Sequence, residues 1–174
     1  MLREEIIEYL HLLNEKLMLR NEKGEICLYG GAVMCLVYDA RPSTKDVDAV
    51  FHPSDIIRKI SKEIADEYEL PHDWLNDGVK GFLVEHPRKV FLNLSHLVVM
   101  VADSEYMLAM KSLSARIDGT DSDDIVFLIN KLKIRTVEEV FRIIDKYYPH
   151  GIIRPATQFF LEEIFNEIQD NSGN

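Results

Sequence analysis

Residues 25–51 read EICLYGGAVMCLVYDARPSTKDVDAVF, and the fold turns on them. A short apolar run, 25–29, is followed by the Gly30-Gly31 pair. An apolar segment of helical length comes next, 31–39, then the loop Arg41-Pro-Ser-Thr and a second apolar run, 46–51, carrying Asp46-Val47-Asp48. Side chains alternate along a strand, so carboxylates at i and i+2 face the same way. Two such acids repel one another, and a divalent cation between them removes the penalty. Glycines in the preceding turn let backbone amides approach a phosphate closely. A Gly-Gly alone is a turn, and an Asp-x-Asp alone is a solvated strand end. Both together, at the ends of two strands joined by one helix, are the equipment of phosphoryl or nucleotidyl transfer.

Working outward, the 174 residues are enough for one domain with a helical appendage, and 47% hydrophobic content supports a core. Cys27 and Cys35 lie in apolar runs and build no disulfide framework. No apolar stretch reaches bilayer length and the N-terminus is acidic, so no membrane association and a cytoplasmic location are expected. A net charge of −10 argues against a grip on duplex DNA. The local exception is 131–154, where Lys131, Lys133, Arg135, Arg142, Lys146 and Arg154 are interleaved with Tyr147, Tyr148 and His150. That stretch is a solvated helix face or a small docking surface for tRNA or another RNA.

Helical spacing of Ile6, Leu10, Leu13 and Leu17 predicts a first helix over 2–20. Ser54 is read as the N-cap of a helix to about 69. Residues 73–81, with Trp74, form a short helix or loop; 82–85 and 89–101 are β-rich, giving two or three antiparallel strands. Helices are predicted at 104–117, 122–133, 136–147 and 155–170, with a Thr136/Glu139 capping box and Pro155 in a first turn. The expected architecture is α+β: a small mixed sheet with an N-terminal helix in 1–103, then a helical region in 104–174.

These residues resemble the nucleotidyltransferase superfamily, the DNA polymerase β-like fold, and within it the uncharacterised and AbiEii-like toxin branch. The resemblance lies first in Leu28-Tyr29-Gly30-Gly31, Arg41 and Thr44-Lys45-Asp46-Val47-Asp48. A second block, YMLAMKSLSAR followed by TDSDDIVFLINKL, looks like that branch's helix with a central lysine, Lys111, and an arginine, Arg116, then an Asp-x-x-Asp helix with Asp121 and Asp124. The likeness spans roughly 25–133. It implies a Mg2+-dependent transfer of NMP from an NTP to a hydroxyl of RNA, of a protein or of a small molecule, with an antitoxin as a partner. Asp46 and Asp48 would then hold the metal, Gly30 and Gly31 would donate backbone N–H groups to the phosphates, and Thr44 would order the loop or serve as a ligand. Lys111 and Arg116 would meet the triphosphate, and Asp124 would position Lys111. On the residues alone, Lys111 equally suits a snorkelling side chain, Arg116 a partner for Asp121 or Asp124, and Asp121 a helix start.

Two departures stand out. Gly31 occupies a position where many members carry a serine that bonds the phosphates. The later strand KVFLNLSHLVVMV lacks the usual third carboxylate, and Asn93 and His96 are its polar candidates. The alternative is therefore a non-catalytic module that keeps the fold and binds a nucleotide or a partner.

Overall fold

The computed structural model describes residues 1–114, 121–149 and 153–172, with side chains as far as Ile168. It is α+β, and its chain divides into two compact units, one formed by Met1–Leu83 with Arg88–Ala102, the other by Val84–Pro87 with the residues from Asp103 onward.

The first unit is built on a five-stranded mixed sheet in the order β3-β2-β1-β5-β4. Its strands are β1 (Gly24–Leu28), β2 (Val47–His52), β3 (Leu75–Asn76), β4 (Arg88–Asn93) and β5 (Leu97–Ala102). Central β1 runs antiparallel to β2 and parallel to β5. The register pairs Leu28 with Ala49 on one side and with Val101 on the other. One face therefore carries Ile26, Leu28, Val47, Ala49, Val99 and Val101, all buried.

Helices α1 (Arg3–Leu19) and α3 (Ser54–Tyr68) pack on each other, α1 also on β5 and α3 on β2. The predicted stripe Ile6, Leu10, Leu13 and Leu17 is fully buried, joined by Tyr9. Glu5 caps α1 by accepting the Leu2 N–H at 2.7 Å. In α3 the N-cap is Pro53 rather than the expected Ser54, which is the first helical residue and donates its hydroxyl to the Asp55 carboxylate. Trp74 is core: its indole N–H donates to the Ser61 carbonyl at 3.0 Å and its ring meets Tyr9 edge-on.

Residues 82–85 form no strand. A 3-10 helix, Gly78–Phe82, ends there and the chain runs on without regular pairing to β4. Residues 89–101 resolve into the antiparallel pair β4 and β5, with an irregularity between Val90 and Leu92.

In the second unit α4 (Ser104–Ser114) is central, contacting α5 (Asp121–Leu132), α6 (Val137–Tyr147) and α7 (Pro155–Ser172). Seven consecutive residues of α4, Tyr106–Ser112, are buried, as an all-round-covered helix requires. Asp103 starts it by accepting the Tyr106 N–H at 2.8 Å. Thr136 is the N-cap of α6, but Glu139 accepts the Arg135 N–H at 3.1 Å, one residue upstream of the expected box partner. In α7, Leu161, Ile164 and Phe165 are buried, while Phe160 and Ile168 are half-buried.

Candidate functional site

The glycine turn follows β1 directly. Tyr29, extended and fully buried, precedes Gly30, whose φ of +56° lies in the left-handed region that a side chain disfavours. Space makes the same demand. A Cβ at Gly30 would lie 2.7 Å from Asp48 Oδ2, so the carboxylate rests directly against the turn. The Tyr29 N–H donates to the Asp48 carbonyl at 2.9 Å, which locks β2 to the turn at this level. At Gly31 a Cβ would fall 1.5 Å from Arg41 Nη2 and 2.5 Å from Thr44 Oγ1. Each glycine thus admits a polar side chain from the loop and strand that follow the short helix α2 (Gly30–Leu36).

That loop is tightly held. The Thr44 N–H donates to the Met1 carbonyl at 2.9 Å, Leu2 and Ser43 form an isolated bridge, and the Cys35 thiol donates to the Pro42 carbonyl at 3.6 Å. Burial pushes the thiols of Cys27 and Cys35 up from their ordinary range. Thr44, 7% exposed, donates its hydroxyl to the Asp46 carbonyl at 3.1 Å. It orders the loop, one of the two roles open to it. Arg41 Nε donates to the Gly31 carbonyl at 3.4 Å and Nη2 to Thr44 Oγ1 at 3.5 Å.

Asp46 corrects the strand argument. It stands in the bend before β2, which begins at Val47, so pleat alternation does not extend to it. Both carboxylates remain partly exposed, but only the direction of Asp48 follows from the pleat. Asp48 belongs to the face opposite Val47 and Ala49. Following the register across β1, the same face of β5 presents Met100 and Ala102 at this end of the sheet. No acid occupies the strand position where a third carboxylate would stand. Asn93 and His96 do not replace it: Asn93 pairs with Val98 and His96 precedes Leu97. Ala102 is four residues from Val98 along β5, about 13 Å at strand rise. A cavity of about 360 Å3 lies at that remote end, lined by Lys23, Glu25, His52, Asn93, Ser95 and His96 among others, and none of the residues expected to hold the metal or the nucleotide borders it. Among the described residues, no group of three or more His, Cys, Asp or Glu side chains is arranged to hold a metal ion.

In the helical unit, Lys111 is buried and ion-paired twice, to Asp124 Oδ2 at 2.7 Å and to Asp121 Oδ1 at 3.1 Å. The pairing of Lys111 with Asp124 is as expected, and the snorkelling alternative is removed. Asp121, read as a helix start, begins α5 and is also the second partner of Lys111. Arg116 lies outside the described residues.

Lys131, Lys133, Arg135, Arg142, Lys146 and Arg154 are all exposed, and Lys146 is ion-paired to Glu105. The interleaved aromatics, however, turn inward. Tyr147 is buried edge-on against Tyr106, and Tyr148 donates its hydroxyl to that of Tyr106 at 3.1 Å. His86 stacks on the same ring, with centroids 3.8 Å apart. Burial raises the Tyr148 phenol well above its usual range. Tyr147 is core and Tyr148 is half-buried against Tyr106, which leaves an RNA mainly the cations; His150 lies outside the described residues.

No protein-family model matches this chain, nor does any curated protein or solved structure. Among the described residues, no helix is long and apolar enough to cross a membrane.

Proposed function

We propose that this chain is a Mg2+-dependent nucleotidyltransferase that moves NMP from an NTP to an acceptor hydroxyl. One observation carries the reading: a carboxylate, Asp48, is set directly against a left-handed glycine at the start of a turn whose next residue is also glycine. The donor set suits Mg2+, which keeps several waters and commonly takes one or two protein carboxylates beside substrate phosphates. Asp46 and Asp48 would hold it. When bound, it supplies charge neutralisation at the phosphates and activation of the attacking hydroxyl. Gly30 and Gly31 offer backbone N–H groups to the β- and γ-phosphates, and Thr44 keeps the loop that carries Asp46 in place. The assignments of Lys111, Arg116 and Asp124 to the nucleotide rest on the resemblance alone. So do RNA as the acceptor and an antitoxin as a partner.

A second reading has an observation of its own. The apolar Met100 and Ala102 on the Asp48 face of β5 leave no strand-borne third acid to act as base. That favours a nucleotide- or partner-binding module without transfer.

The test is incubation of the purified chain with each labelled NTP, total RNA and cell lysate, with and without Mg2+, alongside thermal unfolding in the same mixtures. Mg2+-dependent label transfer that Asp48→Asn eliminates is the result expected. Stabilisation by Mg2+-NTP without transfer selects the second reading. Neither stabilisation nor transfer with any of the NTPs rejects transfer and nucleotide binding alike.

A further inference from the structure

We infer that the cavity at the end of the sheet remote from the glycine turn binds a small zwitterion, a free amino acid with an apolar side chain. This stands apart from the nucleotidyltransferase reading. At about 360 Å3 the cavity is at the small end of ligand pockets. Strand register builds one of its walls. His52 pairs with Glu25 across β2 and β1, Glu25 with Val98 across β1 and β5, and Val98 with Asn93 across β5 and β4. Partners in register share a face, so a single row across four strands carries His52, Glu25, Val98 and Asn93, all of which line the cavity.

His96, which also lines it, has its proton placed by a chain of hydrogen bonds. The His96 backbone N–H donates to the Asn14 side chain at 2.8 Å. A backbone N–H only donates, so the atom it meets is the amide oxygen, Oδ1. That oxygen only accepts, so the Ser95 hydroxyl, 3.5 Å from it, gives it its one proton. Ser95 Oγ is then an acceptor for His96 Nδ1 at 3.1 Å, and the neutral ring carries its proton on Nδ1. Nε2 is left as a lone-pair acceptor. The turn itself is pinned to β1, where the Gly24 N–H donates to the His96 carbonyl at 2.8 Å.

The cavity therefore offers three kinds of acceptor: His96 Nε2, the Glu25 carboxylate and the Asn93 amide oxygen. A primary ammonium has three N–H donors to give them. Among the described residues, no ion pair or side-chain hydrogen bond engages Glu25, Asn93 or Lys23. Lys23, on the same wall, supplies the charge opposite to Glu25. An anion alone would be repelled by Glu25 and a cation alone by Lys23, whereas an amino acid answers both. Leu94 and Val98, half-buried, give its side chain an apolar surface.

The experiment titrates the whole chain with L-leucine by calorimetry, at mildly alkaline pH and with a chelator present, and follows the imidazole nitrogens by NMR. L-leucine is expected to bind with a Kd of about 1 mM or tighter. N-acetyl-L-leucine, which lacks the ammonium, should not bind, and leucine methyl ester, which lacks the carboxylate, should bind about 10-fold more weakly. Glu25→Gln should weaken leucine about 10- to 100-fold, as loss of a charge-assisted hydrogen bond does. Ser95 is a positioning residue. Ser95→Ala should weaken leucine about threefold and move the His96 nitrogen shifts toward the other tautomer, and Ser95→Thr, which keeps the hydroxyl, should restore both. If Glu25→Gln does not fold, the three ligands on the wild-type chain decide. No binding of L-leucine overturns the inference, as does equal affinity for the N-acetyl compound or an unaltered Glu25→Gln variant.

Discussion

The two units handle their charges in opposite ways. In the helical unit Lys111 is 6% exposed and closed off by Asp124 and Asp121, within one side-chain contact on each side. In the sheet unit Asp48 and Arg41 stay partly exposed and lie against the two glycines of the turn, with Arg41 also bonded to the Thr44 hydroxyl. Burying a charge costs several kcal/mol unless it is paired, so the Lys111 cluster has to be complete within the protein. A partly exposed charge carries a smaller penalty, because water still reaches it.

The largest expected effect would break that contrast at its functional end. Asp48→Asn should abolish Mg2+-dependent transfer and the stabilisation by Mg2+-NTP, measured by label incorporation and by unfolding midpoint. Asp46→Asn should do the same, and its metal-free midpoint should hold or rise because one of two neighbouring acids is neutralised. Wild-type transfer in both variants would place the metal elsewhere.

Next comes the structural end. Lys111→Ala removes the ammonium that stands 2.7 Å from Asp124, which is nearly fully buried. A loss of about 3–5 kcal/mol in denaturant unfolding is expected. Replacing Lys111 and Asp124 together by apolar residues of similar volume should recover most of it. A mild Lys111→Ala variant would show that the cluster is not the structural pair described.

Gly30→Ala sharpens the comparison at smaller scale. The left-handed φ costs an alanine about 1–2 kcal/mol, before the Asp48 carboxylate has to move away from the new Cβ. The unfolding midpoint reports the first, and Mn2+ affinity reports the second. Smallest is an alkaline effect confined to the helical unit. The Tyr148 phenol is raised when folded, so its contribution is present below the unfolded value of about 10 and is lost as pH rises above it. Tyr148→Phe should flatten the fall in stability above pH 10, followed by circular dichroism.

Much of the fold was legible from local pattern. The stripe Ile6, Leu10, Leu13 and Leu17, the strand–glycine–helix order of 25–39 and the acid-bearing second strand all follow from spacing that local backbone geometry enforces. What escaped was tertiary. Arg41 has no periodic signal, and its place at Gly31 appears only when the loop closes on the turn. Asp46 looked like strand because its apolar neighbours alternate, yet the Thr44 hydroxyl holds its carbonyl in a bend. Tyr147 and Tyr148 looked like an accessible aromatic surface because lysines and arginines surround them in sequence. A helix has an inside, and α6 with the residue after it puts those two rings there.

The position of β1 at the centre of the sheet has a consequence for synthesis. One of its edges pairs with β2, which follows within a few dozen residues, but the other waits for β5, roughly 70 residues further along the chain. At ribosomal rates of about 5–20 residues per second, that edge stays open for several seconds. The exposed ladder belongs to Ile26-Cys27-Leu28, an apolar edge able to pair with a strand from another chain. Yield at high expression should therefore depend on how soon residues 97–102 arrive, and a nascent chain stalled before them should be the aggregating species.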